Sequence, residues 1–346
     1  MRSLPNPFCG TGLADDPVLR DVPYPSVNDA APRRMLERCP LSGITPLRAA
    51  PEMAAEAGVG EVLIKDERLR MEMGSFKALG AAYVIACDAE KGQARGTTYM
   101  TASAGNHGLS VAGGAAAFGA QAVIYLADTV PESFADRLRS VGAEVVRAGA
   151  DYEASMDAAM QAAAASGAVL LSDSSWEGYT ARPHRLMDGY LALMAEVFDQ
   201  IDRPPTHLVL QAGVGGLAGA CAAIARLHWH DATRIIVVEP EAAPCLIASI
   251  EAGKLVETKG PVSAMGRLDC KVASLIALKG LARDANDFMT ISEAEGDAGA
   301  ALAARFGLKS TPSGAAGIAG LAAANGTLGL GPDARVLVIL SEQSDA

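Results

Sequence analysis

Short apolar runs separated by helix-patterned segments constrain this 346-residue chain more than any other feature. "AQAVIYLA" (120–127), "AEVVRAG" (143–149), "AVLLSD" (168–173), "THLVLQAG" (206–213), "RIIVVEP" (234–240) and "RVLVILS" (335–341) are rich in Val, Ile and Leu and are bounded by turn-forming residues. Each reads as a buried strand, and "EVLIKDE" (61–67) as a shorter one. Between them lie helical patterns such as "NHGLSVAGGAAAF", "ESFADRLRSV" and "LMDGYLALMAEVFDQI". Such alternation predicts parallel sheets with helices on their faces, and ligands at loops beyond the carboxyl ends of the strands. "DRPP" (202–205) reads as a linker, and the Pro-rich residues 1–40 as an irregular arm over the body.

Composition narrows the partners. The formal charge is −11, which argues against nucleic acid as the main partner. The six cysteines form no CxxC pair, so neither a disulfide framework nor a zinc site is expected and no metal is assigned. No apolar leader and no spanning apolar stretch is visible, so a cytoplasmic protein without a membrane partner is expected.

Three loops carry chemical information. In "MEMGSFKALGAAY" (71–83), Lys77 sits among Met73, Phe76, Ala78, Leu79 and Ala81 at what reads as the start of an amphipathic helix. Burial disfavours an ammonium, so this amine is expected to lose part of its charge; taken alone it also reads as a surface lysine with its head in water. "TASAGNHGLSVA" (101–112) joins a strand to a helix and offers several N–H groups and an amide to a carboxylate or phosphate. Alone, Asn106-His107 also reads as a helix cap, and His107 as a pocket wall. "QAGVGGLAGA" (211–220) follows a strand and opens a helix, with four glycines that let backbone approach a phosphate.

The glycine loop supports two chemistries. Gly213, Gly215 and Ala218 match GxGxxG/A, and Glu239 ends the next strand where a ribose-binding acid would stand, so a nicotinamide oxidoreductase is one reading. It leaves Lys77 and the Ser-Ala-Gly-Asn-His loop without a role. Pyridoxal 5'-phosphate (PLP) chemistry uses all three loops: an apolar lysine for the Schiff base, a glycine-rich helix start for the phosphate, and an Asn loop for the ring oxygen and substrate carboxylate. A non-catalytic PLP carrier would use the same loops.

"GSFKALGAAY", "SAGNHG", "GVGGLAG" and "VLVILSE" resemble the fold-type II PLP enzymes, the tryptophan synthase β-like group that includes serine and threonine dehydratases. "LLSDSSWEGYT" (170–180), "LMDGY" (186–190) and "IIVVEPEAAPC" resemble the diaminopropionate ammonia-lyases in particular, and the similarity runs along nearly the whole chain. The resemblance implies two open, twisted, mostly parallel α/β domains with the cofactor in the cleft. Residues 1–84 plus 196–346 would form the large domain and 85–195 the small one. It also implies a homodimer and α,β-elimination from a small β-substituted L-amino acid such as 2,3-diaminopropionate, with serine, threonine or 3-hydroxyaspartate as alternatives.

Residue by residue, the resemblance implies that Lys77 holds PLP and moves the α-proton, next to Phe76. Asn106 would bond the ring oxygen, Gly213, Val214, Gly215, Gly216 and Leu217 the phosphate, and Ser341 would face the pyridine nitrogen. Ser103, Ala104, Gly105 and His107 would bind the α-carboxylate, and Asp173 would stand near the substrate amine or leaving group. Ala104 departs from the ammonia-lyase pattern, which has an acid/base Asp there, and so implies L-specificity. Arg182, His184 and Arg185 are a second departure, readable as surface charge or as readers of an acidic β-substituent. The group's C-terminal extension is expected to be absent.

Overall fold

The computed structural model describes residues 1–13, 16–324 and 326–344. Its strands are β1 (Arg2–Pro5), β2 (Leu47–Ala49), β3 (Glu61–Asp66), β4 (Thr98–Ala102), β5 (Gln121–Leu126), β6 (Glu144–Arg147), β7 (Val169–Leu170), β8 (His207–Gln211), β9 (Arg234–Pro240), β10 (Asp287–Ile291) and β11 (Arg335–Leu340). They form a seven-stranded sheet in the order β1-β10-β9-β8-β11-β3-β2 and a four-stranded sheet in the order β6-β5-β4-β7. The four-stranded sheet is parallel throughout. In the larger sheet only the edges β1 and β2 run antiparallel.

Every apolar run read as a strand contains one. β7 stops early, because the chain leaves the sheet after Leu171 and takes Asp173 to the cleft. The arm is less irregular than its prolines suggest: β1 pairs with β10, and Ala30–Glu37 is helical. β10, "DFMTI", carries no clear apolar alternation and is found only in the structure.

Helices Ala78–Glu90 and Ala181–Gln200 pack against each other, and both expected domain limits fall inside them. One apolar core spans them and both sheets, joining Ile124 and Leu126 to Leu79, Leu193, Leu210 and Leu337. Beneath it, Lys65, Glu67, Arg70 and Glu196 form a buried ion network with Thr45. Among the described residues no helix is long and apolar enough to cross a membrane.

Candidate active site

The Lys77 segment is fastened to the end of the last strand. Phe76 N–H donates to the Ser341 carbonyl (3.0 Å), and Gln343 N–H donates to that of Gly74 (2.9 Å). Just before it, Met71 and Glu72 adopt left-handed φ values of 50° and 58°, an uncommon backbone state for bulky side chains. The helix begins at Ala78, about two turns after Met71 where the sequence pattern opens, with Lys77 at its cap.

Lys77 Nζ lies 2.5 Å from Asp173 Oδ2, 5.3 Å from the Phe76 ring centre and 6.0 Å from that of Tyr190. Burial disfavours both charges, but each is overridden by the other. The Lys77 pKa is held above the ordinary lysine value and that of Asp173 well below the usual carboxylate range. The expected partial loss of charge on Lys77 is thus reversed, because its apolar neighbours in sequence say nothing of a carboxylate 96 positions away.

Asp173 is presented by the DSSWEGY segment. Tyr179 Oη accepts from Ser172 N–H (3.1 Å) and donates to the Leu170 carbonyl (2.9 Å), so a phenol satisfies backbone where the sheet ends. The Tyr179 and Trp176 rings stack 4.3 Å apart. Ser175 Oγ and Ser274 Oγ, 2.7 Å apart, dock the segment on the start of helix Leu275–Asp284.

The glycine loop lies beside this pair. A Cβ built on Gly216 would stand 3.9 Å from the Asp173 carbonyl and 3.8 Å from Tyr190 Cε2. Gly215 has φ +95°, and a Cβ there would meet Ala277 Cβ at 2.9 Å, so neither a side chain nor ordinary φ is accommodated. Helix Gly216–Trp229 opens here, and none of Gly215, Gly216 and Leu217 donates its N–H to another group among the described residues. Free amides at a helix start beside a lysine amine are the donor set that a phosphorylated aldehyde requires, so these residues fit PLP.

The loop 103–107 supplies a second set of amides. Gly105 caps helix Asn106–Ala117, and Ser103 Oγ accepts from Gly105 N–H (3.3 Å). Gly108 lets the Ser103 carbonyl press onto the helix, since a Cβ there would lie 2.2 Å from that oxygen. His107 Nε2 donates to the Leu171 carbonyl (2.8 Å), its Nδ1 is buried without a described partner, and burial keeps the ring neutral. It is placed as a pocket wall, while Asn106 is the first helical residue rather than a side-chain cap.

Sequence reasoning gave no role to Glu342, Arg267, Cys270 or Tyr190. Asn106 Nδ2 donates to Glu342 Oε2 (2.5 Å), which fixes the amide, and Glu342 also accepts from Thr311 Oγ1 and pairs with Arg267 (3.0 Å). Glu342 directly follows Ser341 in "VLVILSE", so the motif's last letter was the available signal. Cys270 Sγ would touch a Cβ on Gly213 at 3.0 Å, and burial pushes its thiol up to about 12. Arg185 pairs with Asp88 (3.2 Å) and His184 Nε2 bonds the Tyr24 carbonyl (3.0 Å), which ties both to structural partners. Glu239 is fully buried and accepts from Leu246 and Ile247 N–H (2.7 Å each), so it caps a helix and is not presented to a ribose.

A family model described as pyridoxal-phosphate dependent enzyme matches residues 39–342. Diaminopropionate ammonia-lyase of Escherichia coli K12 is 32% identical over 86% of this chain and 84% of its own. A human serine dehydratase-like protein is 31% identical over 69% of each. Among solved structures, the Escherichia coli diaminopropionate ammonia-lyase in complex with an aminoacrylate-PLP azomethine intermediate superposes with TM-score 0.87 and 29% identity, covering 99% of this chain and 93% of that one. Threonine deaminase isoform 2 of Solanum lycopersicum shares the fold, with TM-score 0.81 over 94% and 93% of the two chains. With the glycine cradle, the lysine beside it and the fold in agreement with these likenesses, the chain belongs to the pyridoxal-phosphate dependent enzymes of fold type II.

Proposed function

We propose that this enzyme catalyses α,β-elimination on 2,3-diaminopropionate, with preference for the L-isomer, giving a 2-oxo acid and ammonia. One observation carries the choice of leaving group: the Asp173 carboxylate stands 2.5 Å from Lys77 Nζ, where it can face a substrate β-ammonium. An ionised carboxylate attracts a β-ammonium, and that group departs as ammonia without needing a proton. A β-hydroxyl departs as water only with a proton supplied. Dehydration of serine, threonine or 3-hydroxyaspartate is the second reading, favoured by the likeness to the serine dehydratase-like protein.

The roles divide as follows. The amides of Ser103, Ala104, Gly105 and His107 bind the α-carboxylate at the start of helix Asn106–Ala117. Gly213, Val214, Gly215, Gly216 and Leu217 hold the cofactor phosphate, Lys77 its aldehyde carbon, Asn106 its ring oxygen and Ser341 its ring nitrogen, next to Phe76. Bound PLP supplies an electron sink for the pair left at Cα. Lys77 Nζ, as the neutral amine, takes the Cα proton, and Asp173 orients the amine and holds the β-ammonium. Ala104 supplies no acid or base at the position where the ammonia-lyase pattern has an Asp, which leaves Lys77 as the base and favours one orientation of Cα–H.

Initial rates of 2-oxo acid formation from L- and D-2,3-diaminopropionate, L-serine, L-threonine and 3-hydroxyaspartate test this reading. The highest kcat/KM is expected for L-2,3-diaminopropionate; a higher value for a hydroxy amino acid rejects the ammonia-lyase assignment. The two-domain division at 84/85 and 195/196, a cytoplasmic location and a homodimer belong to the same proposal, and sedimentation of the holoenzyme tests the last.

A further inference from the structure

Tyr190 carries a buried hydroxyl that the fold does not use. The residue lies on helix Ala181–Gln200 with 1% of its surface exposed. Its ring packs edge-on to Phe76 with centres 5.0 Å apart. Cε1 fits the notch at Gly80, where a Cβ would come within 2.7 Å, and Cε2 faces Gly216 in the glycine loop. The ring is thus clamped between the Lys77 helix and the phosphate loop. Its Oη has no hydrogen-bond partner among the described residues.

Phenylalanine would fill the same space without an orphan hydroxyl, and a buried polar atom left unpaired costs free energy. Packing therefore explains the ring and not the oxygen. Lys77 Nζ lies 6.0 Å from the centre of this ring; burial pushes the phenol's pKa up to about 12, against the charge of Lys77 and with that of Asp173, so it remains protonated. A phenol oxygen can accept an N–H from a neutral amine or from an ammonium.

We propose that Tyr190 is a positioning residue for Lys77, its hydroxyl holding Nζ during α-proton removal. In that step the Cα–H bond breaks, the proton forms a new N–H bond on Lys77, and the electron pair passes to the bound cofactor. Asp173 steadies the amine from one side and Tyr190 Oη accepts an N–H from it on another, before and after transfer, which leaves the lone pair free to take the Cα proton. The inference rests on Lys77 being the cofactor lysine and the proton acceptor.

The test is Tyr190→Phe in the holoenzyme, with PLP on Lys77 first verified in the parent protein by borohydride fixation. Absence of that label rejects the cofactor-lysine reading and this inference with it. Given the label, kcat is expected to fall by up to about 10²-fold, as for a misplaced catalytic group. KM should stay within a factor of a few, and melting temperature should be unchanged or higher. The primary isotope effect with α-deuterated substrate should rise as proton removal becomes slower. The absorption of the bound cofactor should titrate at a different pH, with Lys77, Asp173, His107, Cys270 and Tyr152 as the titratable groups that remain around it. Unchanged kcat and isotope effect with an unshifted spectral titration overturns the proposal. So does a loss of kcat that only follows a loss of stability or of bound PLP.

Discussion

Lys77 and Asp173 come from different elements and meet as a 2.5 Å ion pair beside the glycine loop. Burial opposes both charges, yet both persist because each is the other's counter-ion. The first prediction follows. Asp173→Asn keeps the shape and removes the charge, so turnover of L-2,3-diaminopropionate should fall by about 10²–10³-fold, as for loss of an electrostatic stabiliser, with PLP still bound. Steady-state kinetics alongside the cofactor absorbance decides; near-normal turnover would leave Asp173 a turn residue.

The Tyr179 hydroxyl should matter for the same pair at one remove. Tyr179→Phe strips Ser172 N–H and the Leu170 carbonyl of a partner. Loss of about 1–3 kcal/mol in urea denaturation is expected, with turnover reduced as the end of β7 no longer fixes Asp173. Unchanged stability and rate would show that Trp176 and the Ser175–Ser274 contact suffice.

For the phosphate cradle, Gly216 is the position to change. Gly215 is left-handed and crowded, so a side chain there would damage the backbone as well. A Cβ on Gly216 meets nothing closer than 3.8 Å. Gly216→Asp then sets a carboxylate against the phosphate, worth about 4 kcal/mol at close range in a partly buried site, or roughly a thousandfold in affinity. Titration of apoprotein with PLP measures it; wild-type affinity would place the phosphate elsewhere.

Glu239 gives a stability prediction with a definite sign. Burial raises its pKa from 4.5 to about 8, although Leu246 and Ile247 N–H pull the other way. A carboxyl raised in the folded state binds its proton more tightly there than when unfolded. Its contribution is complete below about pH 4.5 and is lost as pH rises towards about 8. Melting temperature should therefore carry a falling component between those values, which Glu239→Gln removes. An identical slope in the two proteins would contradict it.

The sheet interior and the three loops were legible because buried parallel strands and glycine turns are written locally. What escaped depends on distant partners. β1 and β2 are edge strands defined by whom they pair with, and β10 mixes Phe, Met and Thr without a clear period. Lys77 was given the wrong charge for the same reason: its five apolar neighbours are local, and its carboxylate is not. Glu239 shows the converse, since its spacing after a glycine loop imitates a ribose-binding acid, and only its two helix N–H donors reveal a cap. Tyr190 was visible in "LMDGY", but nothing in that string says that its ring wedges between Gly80 and Gly216.

Stereochemistry tests the proposal that Lys77 is the single base. With Ala104 half-buried at the loop before helix Asn106–Ala117, the parent enzyme should turn over L-2,3-diaminopropionate faster than the D-isomer. Ala104→Asp should raise the D-isomer rate relative to the L-isomer by placing an acid/base at that position. Equal rates on both isomers in the parent protein would refute the single-base account.

The most direct measurement concerns Lys77 itself. Purified holoenzyme is reduced with borohydride, digested, and the pyridoxyl label is mapped by mass spectrometry. The account predicts a single labelled peptide carrying the modification at Lys77, and none in Lys77→Ala. A label on another lysine, or none in a protein that eliminates ammonia at full rate, would contradict it.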